Sequence, residues 1–197
     1  GIHGMNFLRK LSGTDLTVSA LGLGTVKLGR NEQVKYPASF SIPDDNAVQT
    51  LLAQASELGI NLLDTAPAYG NSEERLGQLL QQRQKWIVVT KVGEEFVNGA
   101  SHFDFTAAHT RLSVERSLER LRTDYLDIVL IHSDGNDSAI LEQGDCFAAL
   151  QDLKQRGLIR AIGMSTKTLA GGLQAAKELD VVMLTYNLQQ QDSEVLA

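Results

Sequence analysis

Four side chains capable of proton transfer lie at or just after the ends of three apolar segments of the sequence. Asp64 ends the first of these segments and Tyr69 follows in the next loop, whereas Lys91 and His132 end the second and third segments. A carboxylate, a phenol, an ammonium and an imidazole are groups that act as general acids, general bases or electrostatic partners. If the segments are strands of a parallel barrel, their polar ends meet at one rim. The spacing therefore indicates a candidate site for acid–base chemistry.

Each of these residues also has a purely structural interpretation. Asp64 could form a turn or cap a helix, and Tyr69 beside Gly70 could fill a loop. Lys91 could be solvated, and His132 could be an ordinary hydrogen-bonded residue at the end of a strand. The functional interpretation rests on the four residues occurring together.

Six short apolar segments predict β-strands, and five longer amphipathic segments between them predict α-helices. The predicted strands are 21–24, 61–64, 86–91, 126–132, 159–164 and 181–186, and the predicted helices are 45–58, 72–82, 107–121, 142–156 and 167–179. Ser72 and Thr106 are predicted to begin the second and third helices as caps. A β-hairpin over 6–11 and 16–20 is expected to plug part of the fold.

The alternation of strands and helices predicts an α/β fold with a parallel sheet, either open and doubly wound or closed into a barrel. A dinucleotide-binding open sheet should show G-x-G-x-x-G directly after its first strand. Here Gly22-Leu23-Gly24 is followed by Thr25-Val26-Lys27, so the third glycine is missing. The repeat length of the strand–helix units and the polar strand ends favour the barrel.

The composition limits the possible partners and location of the protein. A chain of 197 residues suits one domain, and a net charge of −6 disfavours nucleic acids and anionic membrane surfaces as partners. No apolar run approaches the roughly 18 residues that a membrane span needs. The single cysteine, Cys146, and the absence of metal-ligand spacing favour a reducing, cytoplasmic location without a metal site. Residues 1–4 are interpreted as an expression remnant and 5–197 as the single barrel domain.

Several ordered motifs resemble those of the aldo-keto reductase superfamily. The segment 59–77 reads GINLLDTAPAYGNSEERLG and resembles the family's signature segment. The further similar segments are 88–93 around the lysine, 117–127, 130–132 with the histidine, and 153–165. The resemblance extends from Met5 to the end of the chain.

This resemblance implies a (β/α)8 TIM-type barrel and an NAD(P)H-dependent oxidoreductase that interconverts a small aldehyde or ketone and its alcohol. Tyr69 would be the general acid that protonates the carbonyl oxygen. Lys91 would lower the pKa of Tyr69, and Asp64 would hold Lys91 charged through a salt bridge. His132 would form a hydrogen bond to the carbonyl group.

The resemblance also implies the positions that contact the cofactor. These positions are Thr25, Asp64, Ser165, Thr166 and Met183. The family usually has Asn and Gln where this chain has Thr166 and Met183, so contacts with the nicotinamide carboxamide would differ here. NADP is favoured over NAD because it is the more frequent cofactor in the family.

Only about six of the eight strand–helix units of such a barrel are visible in the sequence. We therefore expect the chain to be part of a longer protein whose last two units supply further cofactor contacts. A regulatory or nucleotide-binding subunit with the same fold is an alternative to an enzyme. A hydrolase or lyase is not supported, because the sequence shows no activated serine and no metal-ligand set.

Overall fold

The structure, a computed structural model, describes residues 2–4, 14–19, 21–30 and 41–184. The strands within these ranges are β1 (Ile2–Gly4), β2 (Leu21–Gly24), β3 (Leu62–Asp64), β4 (Ile87–Val92), β5 (Glu94–Val97), β6 (Ala100–Phe103), β7 (Leu126–His132), β8 (Ile159–Thr166) and β9 (Val181–Leu184). The α-helices are α1 (Val26–Gly29), α2 (Asp45–Glu57), α3 (Ser72–Leu79), α4 (Ala107–Leu121), α5 (Asp137–Gln143), α6 (Asp145–Gln155) and α7 (Leu169–Glu178).

The main sheet contains six parallel strands whose spatial order follows their order in the chain. The order is β1-β2-β3-β4-β7-β8-β9, with β1 antiparallel to β2 at one edge and β5 paired with β6 as a separate hairpin. A doubly wound sheet requires a point at which the strand order reverses. The described sheet has no such reversal, so it forms part of a (β/α)8 barrel, as predicted.

Alternate residues of the parallel strands enter two different hydrophobic cores, as expected for strands covered on both faces. The outer core lies between the sheet and the helices and includes Leu63, Val88, Val129, Ile131, Ile162 and Met164. The inner core includes Leu62, Val89, Ile128, Leu130, Ala161 and Val181. Leu16 and Val18 are buried against this inner core, so the described part of the predicted hairpin does plug the fold. Its first strand, 6–11, lies outside the described residues, and of 16–19 Thr17 alone forms a bridge.

Side-chain caps set the beginnings of several helices. The Asp44 carboxylate accepts a hydrogen bond from Ala47 N at the start of α2, and the Thr106 hydroxyl accepts one from His109 N at the start of α4, as predicted. The predicted cap at Ser72 is wrong, because Ser72 lies inside α3 and its hydroxyl donates to Thr25 Oγ1 at 2.7 Å. Thr168 caps α7 through Gly171 N, which moves the start of this helix to Leu169.

Two helices differ from their predicted bounds by three residues for backbone reasons. The helix expected over 142–156 is α6 and begins only at Asp145, because Gly144 has a φ of 76° that a right-handed helix cannot contain. The residues before Gly144 belong to a separate helix, α5, which was not predicted. Helix α3 ends at Leu79 rather than at residue 82, because Leu80 is extended and Gln82 is left-handed. The predicted sixth strand, 181–186, is β9 as far as Leu184, and its last two residues lie outside the described ranges.

The hairpin β5–β6 has no counterpart in the predicted elements. Its two strands are joined by Asn98-Gly99, and both residues have positive φ angles of 53° and 77°. Asn-Gly in this conformation is the preferred two-residue connection of a β-hairpin. The signal was therefore present in the sequence and lies directly after the strand that carries Lys91.

Two further observations concern the N-terminal residues and the helices. Ile2–Gly4 forms strand β1, so these three residues of the segment that the prediction left out of the fold contribute to the sheet. Among the described residues, no helix combines the length and the apolar character of a membrane span.

Candidate active site

The structure brings Asp64 and Lys91 into direct contact across neighbouring strands. Lys91 Nζ lies 2.5 Å from Asp64 Oδ1 and donates a second hydrogen bond to the Thr65 carbonyl oxygen at 2.9 Å. The Lys91 side chain is almost fully buried. Burial is the largest single influence and opposes the charged form, but the charge of Asp64 and the further interactions with Asp64 and Tyr69 together raise the pKa of Lys91 above its ordinary value. Lys91 is therefore an ammonium group at any physiological pH.

The Tyr69 ring lies against Lys91, and its position depends on a close contact between the backbones of Gly70 and Gly29. Its ring centroid is 4.9 Å from Lys91 Nζ. The next residue, Gly70, has a φ of +59°, and a Cβ atom there would stand 1.8 Å from the carbonyl oxygen of Gly29. Only glycine fits at this position, so α1 and the Tyr69 loop are held against each other.

The pKa of Tyr69 depends on burial and on the neighbouring charges. Burial is the largest influence and raises the pKa above 10.0, and the Asp64 charge also raises it. The charge of Lys91 and its hydrogen bond lower the pKa, as expected, but they do not outweigh burial. Lys91 therefore acts in the expected direction, but burial keeps the pKa of Tyr69 above its ordinary value, and Tyr69 is a protonated phenol.

His132 ends β7, the neighbour of the strand that carries Lys91. Glu94 Oε2, on the hairpin β5–β6, is 3.0 Å from His132 Nδ1. This distance suits an ion pair or hydrogen bond, but Nδ1 is buried and no partner meets the angular requirement of a hydrogen bond. The two groups are in contact without optimal alignment.

Thr25 belongs to a buried network of hydroxyl groups beside Asp64. Its hydroxyl donates to the Asp64 carbonyl oxygen at 2.8 Å and accepts from Ser72 Oγ at 2.7 Å, and Ser72 Oγ is 3.0 Å from Thr65 Oγ1. The hydroxyl proton of Thr25 is therefore engaged in a hydrogen bond to the protein backbone. The network fixes the backbone on both sides of Asp64.

The remaining predicted cofactor positions lie on β8 and β9. Ser165 pairs in register with His132 on one side and with Met183 on the other, so the three positions form one row across the sheet. Met183 packs against the inner core. Thr166 follows the alternate row, and its hydroxyl is buried without a hydrogen-bond partner among the described residues. Such an unpaired hydroxyl fits a position that binds a polar group.

Sequence reasoning missed Glu94 and the Thr65 carbonyl as partners of the predicted residues. Glu94 follows Gly93 directly after the lysine strand, and the Asn98-Gly99 turn could have indicated the hairpin that carries it. In the described part of the chain, no group of three or more His, Cys, Asp or Glu side chains is placed to hold a metal ion. A cavity of about 400 Å³ between α6 and the end of α7, lined by residues that include Phe147 and Asp180, lies away from these residues.

Comparisons with known proteins agree with this arrangement. A solved structure from Pseudomonas aeruginosa, described as an aldo-keto reductase, is 59% identical with a TM-score of 0.83, and the match covers 92% of this chain and 68% of that one. L-galactose dehydrogenase from Arabidopsis thaliana is 41% identical over 164 residues, which are 80% of this chain and 48% of the relative. NADH-specific methylglyoxal reductase from Escherichia coli is 33% identical over 195 residues, which are 90% and 58% of the two chains.

The chain spans about half the length of the curated relatives it matches, with shares of 48% and 58% for these two. The sequence model of one family matches residues 20–197, which include all four residues of the candidate site. The family match and the parallel sheet together show that the chain belongs to the aldo/keto reductase family.

Proposed function

We propose that this chain carries the proton-transfer site of an NAD(P)H-dependent oxidoreductase that reduces an aldehyde or ketone to an alcohol, or catalyses the reverse reaction. The observation that carries the proposal is the buried contact of Lys91 with both Asp64 and Tyr69. Burial of a lysine ammonium costs free energy unless an opposite charge compensates it. A buried charged group of this kind beside a tyrosine is therefore a candidate functional group. Its partner Asp64 is 13% exposed, so the pair lies just below the surface.

In this mechanism Tyr69 is the general acid. Its Oη donates a proton to the carbonyl oxygen, and the developing phenolate is stabilised by the Lys91 ammonium. Asp64 holds Lys91 charged and in place. His132 binds the same carbonyl oxygen and orients it. A reduced nicotinamide, when bound, supplies the hydride to the carbonyl carbon.

The residues present fit a cofactor contact at one side of the sheet. Ser165 would bind the carboxamide, and Met183, in the same row, would provide an apolar contact beside it. Thr166 lies in the alternate row, so its unpaired hydroxyl would border this contact only at the end of the strand. Asp64 would border the same site. Thr25 would act by shaping it, since its proton is already donated to Asp64 O. We propose NADP as the cofactor, with NAD as the alternative because one relative is named as NADH-specific.

Replacement of the phenol tests the proposal. Tyr69→Phe in the intact protein should lower kcat by about 100-fold or more, since general acid catalysis contributes this much, while nucleotide affinity stays nearly unchanged. Oxidation of NADPH and NADH would be followed with methylglyoxal and other small carbonyl compounds, and reduction of NADP and NAD with galactose. Tyr125→Phe is the matched control, because Tyr125 stacks between Arg83 and Arg160, away from this site.

Two results would contradict the proposal. Unchanged turnover in Tyr69→Phe would show that the phenol is not the acid. Nucleotide binding by the wild-type protein without turnover of any carbonyl or alcohol would indicate a regulatory or binding subunit instead.

A further inference from the structure

The hairpin β5–β6 places a carboxylate beside the histidine of the proposed site. Strand β4 ends at Val92, and Gly93, with a φ of +109°, turns the chain into the hairpin. A Cβ atom at Gly93 would be 2.5 Å from the Phe105 ring and 3.2 Å from the His132 carbonyl oxygen. The chain can therefore pass this close to His132 only because residue 93 is glycine, and the next residue is Glu94.

The Glu94 carboxylate is held in this position by the hairpin itself. Ser101, on the opposite strand, donates a hydrogen bond to Glu94 Oε1 at 2.7 Å. The other oxygen, Oε2, faces His132 Nδ1 at 3.0 Å, and the Glu94 side chain is only 12% exposed. One oxygen is thus fixed within the hairpin and the other is directed at the imidazole.

His132 Nδ1 needs a partner at this place. It is fully buried and makes no aligned hydrogen bond, and leaving a buried polar atom without a hydrogen-bond partner destabilises the folded state. Glu94 Oε2, at 3.0 Å, is an acceptor within reach of this atom. A carboxylate accepts hydrogen bonds and does not donate them, so a proton must then reside on Nδ1.

The charges around Glu94 keep it ionised. Burial would raise the pKa of its carboxyl group, but the close contact with His132 and its charge, the Ser101 hydrogen bond and the charge of Lys167 lower it to about 2. Glu94 in turn raises the pKa of Tyr69.

We propose that Glu94 is a positioning residue that accepts the Nδ1 proton of His132 and orients the ring, so that a second proton on Nε2 can be donated in a hydrogen bond to the substrate oxygen. The proposal rests on the proposed function for the role of His132, but the Glu94–His132 contact does not depend on that role. A carboxylate beside the second ring nitrogen of a functional histidine commonly orients the ring and stabilises its doubly protonated form.

The test is the protonation state of the ring nitrogens. The chain contains four histidines, so selective ¹⁵N labelling of histidine in the intact protein gives few signals. The signals of His132 are those that disappear in His132→Gln. In the wild-type protein at neutral pH, we expect the ¹⁵N shifts to show a protonated Nδ1. In Glu94→Gln, we expect the Nδ1 proton population to fall, and in Glu94→Asp, which keeps the carboxylate, to recover in part.

Turnover provides the second readout. Glu94→Gln should lower kcat for carbonyl reduction by about 10-fold and change its pH profile, because general acid–base efficiency depends on the protonation of each group. Glu95→Gln is the matched control, since Glu95 is the next residue on the same strand and contacts Arg116 and His109 instead. This control removes one carboxylate from the hairpin without touching His132.

Each outcome decides the proposal. An unprotonated Nδ1 in the wild-type protein, or the same spectrum in Glu94→Gln, would overturn it even in an active enzyme. Equal losses in Glu94→Gln and Glu95→Gln would overturn it by showing a general effect on the hairpin. A protonated Nδ1 that depends on Glu94, in a protein without turnover, would support the contact and reject the proposed function alone.

Discussion

Lys91 Nζ lies 2.5 Å from Asp64 Oδ1, so a fully charged pair joins two adjacent parallel strands beneath the Tyr69 ring. The lysine side chain is 2% exposed and the aspartate side chain 13% exposed. Burial therefore separates the ammonium from water while the carboxylate keeps it ionised. The positive charge is a fixed part of the site and does not require a substrate to be present.

Asp64 and Lys91 should stabilise the fold as a pair, so that the loss of either charge destabilises the protein more when the other charge remains. In Asp64→Asn the ammonium of Lys91 loses its counter-charge in a buried position, which should lower the free energy of unfolding by about 3 kcal/mol. The double variant Asp64→Asn/Lys91→Met should recover most of this loss, because the uncompensated charge is then gone. Urea unfolding at pH 7 of the wild type, both single variants and the double variant measures the coupling. Strictly additive losses would show that the two side chains do not depend on each other.

The charge of Lys91 should also control the titration of Tyr69. Burial and the Asp64 charge raise the pKa of Tyr69, and Lys91 is the group that opposes them. In Lys91→Met the pKa of Tyr69 should rise further, kcat should fall by about 100-fold or more, and the pH dependence of the remaining rate should move to higher pH. Lys91→Arg, which keeps a positive charge, should shift the profile less. An unshifted pH profile in Lys91→Met would show that Lys91 does not control the titration of Tyr69.

Glu94 should influence stability at acidic pH. Its folded-state pKa of about 2 is below the ordinary value of 4.5, so the ionised group stabilises the folded state above about pH 4.5. This contribution is lost as the pH falls from 4.5 towards 2. The free energy of unfolding should therefore decrease less between pH 4.5 and 2 in Glu94→Gln than in the wild type, as measured by urea unfolding at several pH values. Parallel curves would contradict the interaction with His132.

A methyl group at Gly70 should disturb the position of Tyr69. Gly70→Ala combines a strained positive φ with a Cβ 1.8 Å from Gly29 O, whereas Gly59→Ala has a similar φ of +81° and no atom within 4 Å. Gly59→Ala should lower the free energy of unfolding by about 1 kcal/mol and leave kcat unchanged. Gly70→Ala should cost more, about 2–4 kcal/mol, and lower kcat at least 10-fold. Thermal unfolding and steady-state rates compare the two, and equal effects would exclude the steric contribution.

The sequence predicted the parallel strands and helix α4 well because their signals are local. Strands β2 and β7 and helix α4 have the predicted bounds, since apolar runs and a threonine cap define them without reference to distant residues. The start of α6 at Asp145 rather than at residue 142 was missed because the apolar periodicity continues across Gly144, whose positive φ interrupts it.

The candidate site was predictable in its members and less so in its electrostatics. The contact of Asp64 with Lys91 follows from their places at the ends of adjacent strands. The direction in which the pKa of Tyr69 shifts does not follow from the sequence, because it depends on how deeply the phenol is buried. Glu94 was missed since its hairpin is short and its first residues are charged, so no apolar alternation marked it.

The hairpin β5–β6 is inserted between β4 and α4, pairs with itself, and reaches the candidate site through Glu94. The hairpin strands are not hydrogen-bonded to any described strand of the main sheet. A side-chain contact holds the hairpin instead, since the Arg30 guanidinium lies 3.6 Å from the centroid of the Phe96 ring. In terms of topology the hairpin is a separable element. A change in its length or charge would alter the position of Glu94 beside His132 and leave the Asp64–Lys91 pair in place, because that pair joins β3 and β4 of the main sheet.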